Sequence, residues 1–451
     1  VKAGWQGTVA RTAGRLSRAA GRGGTSIPGK VLLRLDAHAI GRMAERLPDG
    51  SAVISATNGK TTTAAMVAGI LERGGTHLVH NRAGANMAGG IAATLLEQDG
   101  DAGLFEVDEF WLGQVVEELR PRALLLANLF RDQLDRYGEL ETIADRWADV
   151  VVSPATEDTR LVLNADDPLI ADLGRERDDA LIFGVEDTSL ALDGLQHAAD
   201  STHCRTCGAA YVYDAVFLGH LGHYHCDRCG ARRPDPEIRA TDVELRGMRG
   251  AAFTLRAPEG EARIELPLPG LYNVYNALAA AALALSLGAQ FGDVAAGLAA
   301  VAPAFGRAET VDLAGRPTSI MLVKNPAGAN EVLRTLALEE GEHDLFCMLN
   351  DNVADGRDVS WVWDADFELL APQVRRAVCS GTRAAEMAVR LKYAGVPEDR
   401  LVVEPSLEAG LDRALALSPA PARLFALPTY TAMLALREIL VGRGAAGSSF
   451  G

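Results

Sequence analysis

At 451 residues the chain is long enough for two or three domains with ample core. Hydrophobic residues make up 48% of it, yet no uninterrupted apolar stretch reaches the ~20 residues of a membrane span, so a soluble or peripheral protein is expected. A net charge of −16 argues against broad nucleic-acid binding by phosphate neutralisation, and no secretory pattern is legible, which places the chain in the cytoplasm.

Residues 1–44 form a basic segment. Lys2, Arg11, Arg15, Arg18, Arg22, Lys30 and Arg34 fall within residues 1–35 with no acidic residue, and Trp5, Val9 and Leu16 recur at near-helical spacing. The first expectation is a terminal helix packed on its own domain, the second a helix lying on a membrane surface.

Residues 54–64, ISATNGKTTTA, run from an apolar strand into a Gly-Lys-Thr corner and then a helix. A turn through Thr57, Asn58 and Gly59 before a helix starting near Thr61 aims backbone N–H groups and the helix dipole at one spot, which suits phosphate. Lys60 reaches the β- and γ-phosphates as a point charge, and the Thr61 hydroxyl takes a place on Mg²⁺. Ile54 stands where the common phosphate loop has its first glycine, so this is a variant of that loop. The competing account is an ordinary strand-to-helix turn.

VISA (53–56), GLFEV (103–107), ALLLAN (123–128) and LVLNA (161–165) are short apolar runs separated by helical or polar stretches, the pattern of a mostly parallel sheet. Ligands of such sheets gather at the carboxyl ends of strands, which makes Glu106, Asp108, Asn128 and Asn164 candidates. The pattern stops at 198–236. There Cys204-x2-Cys207 and Cys226-x2-Cys229 have the spacing of a zinc ribbon, a closed four-thiolate site that folds an insertion and does no chemistry. A disulfide pair is the alternative. His203, His220, His223 and His225 crowd the same stretch and are expected to be bystanders.

Antiparallel strands joined at Pro-Glu-Gly follow within 243–270, then an Ala-rich helix at 274–287. Near Ala314-Gly315-Arg316-Pro317 the organisation restarts, and IMLVKN, LFCMLN, RAVCSG, RLVVEP and RLFALP signal a second α/β domain over 316–451. Cys347 and Cys379 lie in apolar strands and read as core residues.

ATNGKTTT, FEVDE, LANLFRDQLDRYGE, LVLNADDP, GLYNVYNALAA, FGRAE and KNPAG occur in the order of the Mur ligase family, which the chain resembles over residues 56–328. The zinc-ribbon insertion, LNDNVADGRDVSWVWD (349–364) and LPTYTAML (427–434) are similar to the branch that supplies the synthetase subunit for glutamine-dependent amidation of lipid II. The resemblance implies a central Mur ligase ATP-binding domain (45–312) holding the ribbon, and a Rossmann-like C-terminal domain. Members phosphorylate a carboxylate with ATP, and an amine attacks the acyl phosphate.

By the same resemblance, Thr57, Asn58, Gly59, Lys60, Thr61 and Thr62 form the phosphate site and Glu106 holds Mg²⁺, with Asp108 and Glu109 as lesser candidates. Asn164 and Asp167 match nucleoside-binding positions, Asn273 and Asn276 match ATP-contacting asparagines, and Arg307 matches the γ-phosphate arginine. Departures carry information. Gln133 replaces the histidine of a D-H-x-D motif, and no lysine lies between Lys60 and Lys324 to be carbamylated, which implies one firmly held Mg²⁺. Ala56 replaces a common glycine, which requires a negative φ there. The phosphate corner lies so near the amino end that no UDP-gripping domain is expected, and a lipid-linked precursor at the inner membrane face is the expected substrate handle.

The implied reaction is ATP-dependent conversion of the α-carboxylate of D-glutamate in the lipid II stem peptide to D-isoglutamine. Ammonia would come from a class I glutamine amidotransferase-like partner. Asp355, or second Asp358, would orient that partner's histidine in trans, against the alternative that both only brace a loop. Two rivals stand: a stand-alone amino-acid ligase of folylpolyglutamate synthase type, and a zinc-ribbon ATPase on nucleic acid, opposed by the acidity and by a lone lysine, Lys392, after Lys324.

Overall fold

The computed structural model describes residues 4–19, 26–82, 85–132, 140–175, 177–302 and 307–446, without the side chains of 17–19 and 307. Its central element is β1 (Ser51–Ser55), buried along its whole length. On either side run β3 (Ala102–Glu106) and β4 (Ala123–Leu126), both parallel to it. With β2 (Leu78–His80), β5 (Arg160–Asn164), β6 (Leu181–Val185), β9 (Ile238–Leu245), β10 (Ala251–Ala257) and β11 (Gly260–Leu266) they make a nine-stranded sheet in the order β11-β10-β9-β6-β5-β4-β1-β3-β2. Strands β9 to β11 are the antiparallel end, turning at Pro258-Glu259.

Both faces of this sheet are covered, and the strands alternate between them with period two. Ala52, Ile54, Leu104 and Leu125 join the core under α4 (Lys60–Arg73) and the helix Leu271–Ser286. Val53, Phe105, Leu124 and Leu126 join the opposite core, which includes Trp147 and residues of α2 (Ile27–Leu35), α3 (Ala39–Ala44) and α5 (Ala88–Glu97). Four consecutive apolar residues in β4 therefore reflect burial on two sides.

A second sheet of six strands holds β12 (Arg307–Asp312), β13 (Pro317–Met321), β14 (His343–Met348), β15 (Val374–Ser380), β16 (Leu401–Val403) and β17 (Leu424–Pro428), ordered β12-β13-β17-β14-β15-β16. Only the β12–β13 pair is antiparallel. All five strand signals from the sequence fall on β13 to β17. Cys347 and Cys379 face each other across β14 and β15, and burial pushes the Cys379 thiol up to about 12, as core cysteines should behave. The fold is the expected α/β arrangement. Strands β2, β6 and β12 are additions to those expected from the sequence.

The hairpin β7 (Val212–Leu218) and β8 (Leu221–His225) stands apart as a two-stranded sheet carrying the cysteine knuckles. No described helix is long and apolar enough to cross a membrane.

Helices α2 and α5 meet where two glycines remove the side chains between them. A Cβ on Gly29 would lie 1.8 Å from the Gly89 carbonyl oxygen, so the helices can approach this closely only without it. Replacing Gly29→Leu should force them apart and destabilise the protein by about 1–3 kcal/mol, read as a lower thermal midpoint. An unchanged midpoint would refute this packing.

Candidate functional site

The carboxyl ends of β1, β3 and β4 open onto one corner. The backbone leaves β1 through Ala56, Thr57 and Asn58, and Gly59 enters α4 with φ of +90°. A Cβ on Gly59 would lie 2.0 Å from Asn276 Oδ1, so glycine is required by both conformation and crowding. Ala56 is outside the left-handed region, which answers the condition its substitution set.

Three segments hold the corner. Asn128, at the end of β4, accepts from the Thr57 N–H on its carbonyl (3.0 Å) and from the Asn58 N–H on its side chain (2.9 Å), and returns a bond to the Asn58 carbonyl (3.0 Å). Asn276 accepts from the Thr63 hydroxyl (3.4 Å) and donates to Asn273 Oδ1 (3.0 Å). Asn325, capping the helix Pro326–Ala337 of the second sheet's domain, exchanges side-chain bonds with Asn58.

The charged groups are paired. Lys60 Nζ donates to Glu109 Oε2 at 2.9 Å and to the Ala56 carbonyl. Burial opposes charge on both partners, but Glu109, with Asp108 and Glu106, outweighs it and raises the Lys60 pKa, while Lys60 and Lys324 hold Glu109 below the usual carboxylate range. Thr61 Oγ1 donates to Glu106 Oε1 at 3.0 Å, which brings together the two predicted Mg²⁺ ligands. Asn81 fixes the Glu106 backbone from both sides, at 3.0 and 2.8 Å. Lys324 enters from the second domain, paired with Asp132 and bonded to the Thr57 carbonyl at 3.2 Å.

Glu109, Asn81, Asp132, Lys324 and Asn325 were not assigned these contacts from sequence. Lys324 and Asn325 could have been marked as the polar pair opening KNPAG, whereas Glu109, named as a lesser Mg²⁺ candidate, is the partner of Lys60.

Asn164 and Asp167 are buried and occupied. Asn164 donates to the Ala127 carbonyl (3.0 Å) and accepts from the Asp166 N–H (3.0 Å), while Asp167 caps the helix Pro168–Leu173 and accepts from the Leu129 N–H (2.9 Å). They brace the loop leaving β4. Asn273 is likewise buried, donating to the Pro269 carbonyl at 2.7 Å, so Asn276 is the asparagine of the pair that abuts the corner. The expectations for Gln133 and for the Arg307 side chain fall outside the described residues.

The four predicted cysteine sulfurs lie within 4.8 Å of one another. A tetrahedral zinc with Zn–S of about 2.3 Å sets its sulfurs about 3.8 Å apart, and the cluster fits it. Two matching knuckles build it. The Gly208 N–H bonds to the Cys204 carbonyl and the Gly230 N–H to the Cys226 carbonyl, and both glycines have positive φ. No histidine joins this cluster among the described residues: His223 bonds to the Val185 carbonyl and His225 to Asp214.

Asp355 and Asp358 differ sharply. Asp355 is buried and accepts from the Thr431 N–H (2.7 Å) and hydroxyl at the start of the helix Tyr430–Gly442, although burial raises its pKa. Asp358 is exposed, and the Ser360 N–H at 2.8 Å lowers its pKa.

The Mur ligase middle domain model matches residues 54–226 and the MurT ligase C-terminal model residues 322–433. The subunit MurT of lipid II isoglutaminyl synthase (glutamine-hydrolyzing) from Staphylococcus aureus strain N315 is 32% identical over 436 residues, covering 96% of each chain. The subunit of the same name from Streptococcus pneumoniae is 33% identical over 430 residues, covering 94% of this chain and 93% of its own. Among solved structures, a pseudomurein peptide ligase type C from Methanothermus fervidus superposes with TM-score 0.69 at 23% identity, covering 89% of this chain and 80% of its own.

Gly59→Ala should strain the corner and displace Asn276. Nucleotide affinity measured by calorimetry should fall about tenfold or more while the thermal midpoint moves little. Unchanged affinity would overturn this account of the corner.

Proposed function

Because the chain belongs to the family of MurT subunits of lipid II isoglutaminyl synthase, we propose that it amidates the α-carboxylate of D-glutamate in the lipid II stem peptide. The observation that carries the reading is the corner itself, where Lys60, Thr61 with Glu106, and Lys324 from the second domain converge at the start of α4. A carboxylate oxygen of the substrate attacks the γ-phosphorus of ATP and ADP leaves. Ammonia then attacks the acyl carbon, phosphate leaves with the bonding electrons, and the nitrogen loses a proton to give the amide.

The chain's part is positioning and charge. Lys60 keeps its proton and faces the transferring group, Asn276 closes the pocket over Gly59, and Arg307 answers the γ-phosphate. Thr61 and Glu106 would hold Mg²⁺, which neutralises phosphate charge when bound. Asn164 and Asp167 serve from beneath, by fixing the loop that carries Asn128. A structural zinc is held by Cys204, Cys207, Cys226 and Cys229.

Ammonia comes from a class I glutamine amidotransferase-like subunit in a heterodimer, working on a lipid-linked substrate at the cytoplasmic membrane face. Asp355 or Asp358 orients that subunit's histidine. Asp355 has the rigid seat a positioning carboxylate needs, and Asp358 has the exposure needed to meet another chain.

Lys60→Ala should abolish ammonium-driven amidation, by about 10³-fold or more, while leaving heterodimer formation intact on size exclusion. Substantial residual turnover, or an amino acid incorporated in place of ammonia, would overturn the proposal. Metal analysis should find one zinc per chain, and Cys204→Ser should lower the thermal midpoint; a metal-free protein of normal stability would remove the zinc.

Asp355→Asn and Asp358→Asn each require two rates. The variant that serves the partner should lose glutamine-driven amidation by about 10²–10⁴-fold and keep the ammonium-driven rate. Equal collapse of both rates assigns the residue to folding or to the ligase step, and no change makes it a loop residue.

A further inference from the structure

Helix α1 (Gly4–Ala19) is built inside out. At about 100° per residue, Trp5, Val9 and Leu16 fall within one ~40° arc. All three are exposed, at 66%, 45% and 67%. The opposite arc holds Gly7, Ala10 and Gly14, and these small residues are the buried ones. A Cβ on Gly14 would lie 2.5 Å from Pro28 Cγ, so α1 is seated on α2 through its small face. Arg11 ties it further to the Leu96 carbonyl at the end of α5, at 3.0 Å. A helix serving only to cover its own domain would place tryptophan, valine and leucine inward. The first sequence expectation therefore describes one face of this helix, and the other has no partner among the described residues.

The charged residues of this segment have one sign. Arg15 on α1 and Lys30 and Arg34 on α2 are exposed, and residues 1–35 contain no aspartate or glutamate, in a chain whose net charge is −16. This segregation selects the occupant. Two copies pairing through the stripe would set the flanking Arg15 of each near its like-charged counterpart, with no acidic residue on α1 to offset them. An anionic lipid surface instead takes the tryptophan, valine and leucine into the headgroup boundary and neutralises the arginines and lysine.

We propose that Trp5, Val9 and Leu16 of α1, with Arg15 on the same helix and Lys30 and Arg34 on the neighbouring α2, seat the protein on an anionic phospholipid surface. The inference deepens the reading of a lipid-linked substrate, for it names the element that would hold the enzyme at the membrane where that substrate lies.

The test is flotation of the full chain with vesicles of phosphatidylcholine containing phosphatidylglycerol, against vesicles of phosphatidylcholine alone. Wild type should float with the anionic vesicles and release as salt rises. Trp5→Ser/Val9→Ser/Leu16→Ser should bind about tenfold or more weakly, and Arg15→Glu/Arg34→Glu should lose the preference for anionic lipid. Both variants should keep the wild-type thermal midpoint and amidate detergent-dispersed substrate normally, so a failure of the amidation proposal is read separately. Absence of vesicle binding, equal binding to both vesicle types, or binding unchanged in the triple variant would overturn the proposal. So would self-association that the triple variant abolishes in a protein that binds no vesicles, since it would give the stripe to a second copy.

Discussion

The site depends on one crowded point, the absent side chain of Gly59 with Asn276 Oδ1 occupying its place. The positive φ turns the chain from the buried end of β1 into α4, so the first turn of that helix opens beside the carboxylates leaving β3. Asn276 comes from a helix on the covered face of the same sheet and Asn128 from the neighbouring strand end. The loop is thus fixed by elements that cannot move without disturbing the main core. Such preorganisation is what phosphoryl transfer asks of a protein, because the donors must be in place before charge develops.

Charge balance around the corner explains what it can accept. Among the described residues its cations are Lys60 and Lys324, and its acids are Glu106, Asp108, Glu109 and Asp132, two against four. A bare polyphosphate would meet a surplus of negative charge. A nucleotide arriving with a divalent cation would not, and the carboxylate beside the Thr61 hydroxyl is where that cation would be welcomed. Both lysines are paired with acids, which spares the buried site an unpaired charge, and the acids around Lys60 raise its pKa.

Features with a local period or spacing were legible in the sequence. The strands of both sheets declared themselves as apolar runs, the cysteines by spacing and the phosphate corner by its strand-turn-helix setting. The three-residue β2 is too short to display a period, β12 is an antiparallel edge partner whose pairing depends on β13, and β6, LIFGV, is an apolar run as long as β1 that was legible and not used. Contacts across the chain were not legible. Lys324 reaches Asp132 over 192 positions and Asn325 reaches Asn58 over 267, and nothing local marks such partners. Motif matching also could not separate Asn164 and Asp167, which hold the loop from below, from Asn276, which touches the corner.

The inserted ribbon is more than an appendage on this framework. Its knuckle end has a small core of its own, centred on Cys204, Tyr211, Tyr224 and Cys226, while Ala215, Phe217, Leu218 and Leu221 at the turn end pack into the main core. Yet its base bears on both domains. The Phe217 carbonyl in β7 accepts from Arg334 at 2.6 Å on the helix that Asn325 caps, and Asp200 holds Arg131, which also reaches Asp364. His197 bonds to Asp366 at 3.1 Å, and that carboxylate raises its pKa. The main-core packing of Phe217 therefore fixes one support of the helix Pro326–Ala337, whose amino end delivers Asn325 to Asn58. The cysteine knuckles stand at the other end of the hairpin, so the phosphate corner leans on the base of the ribbon through that helix.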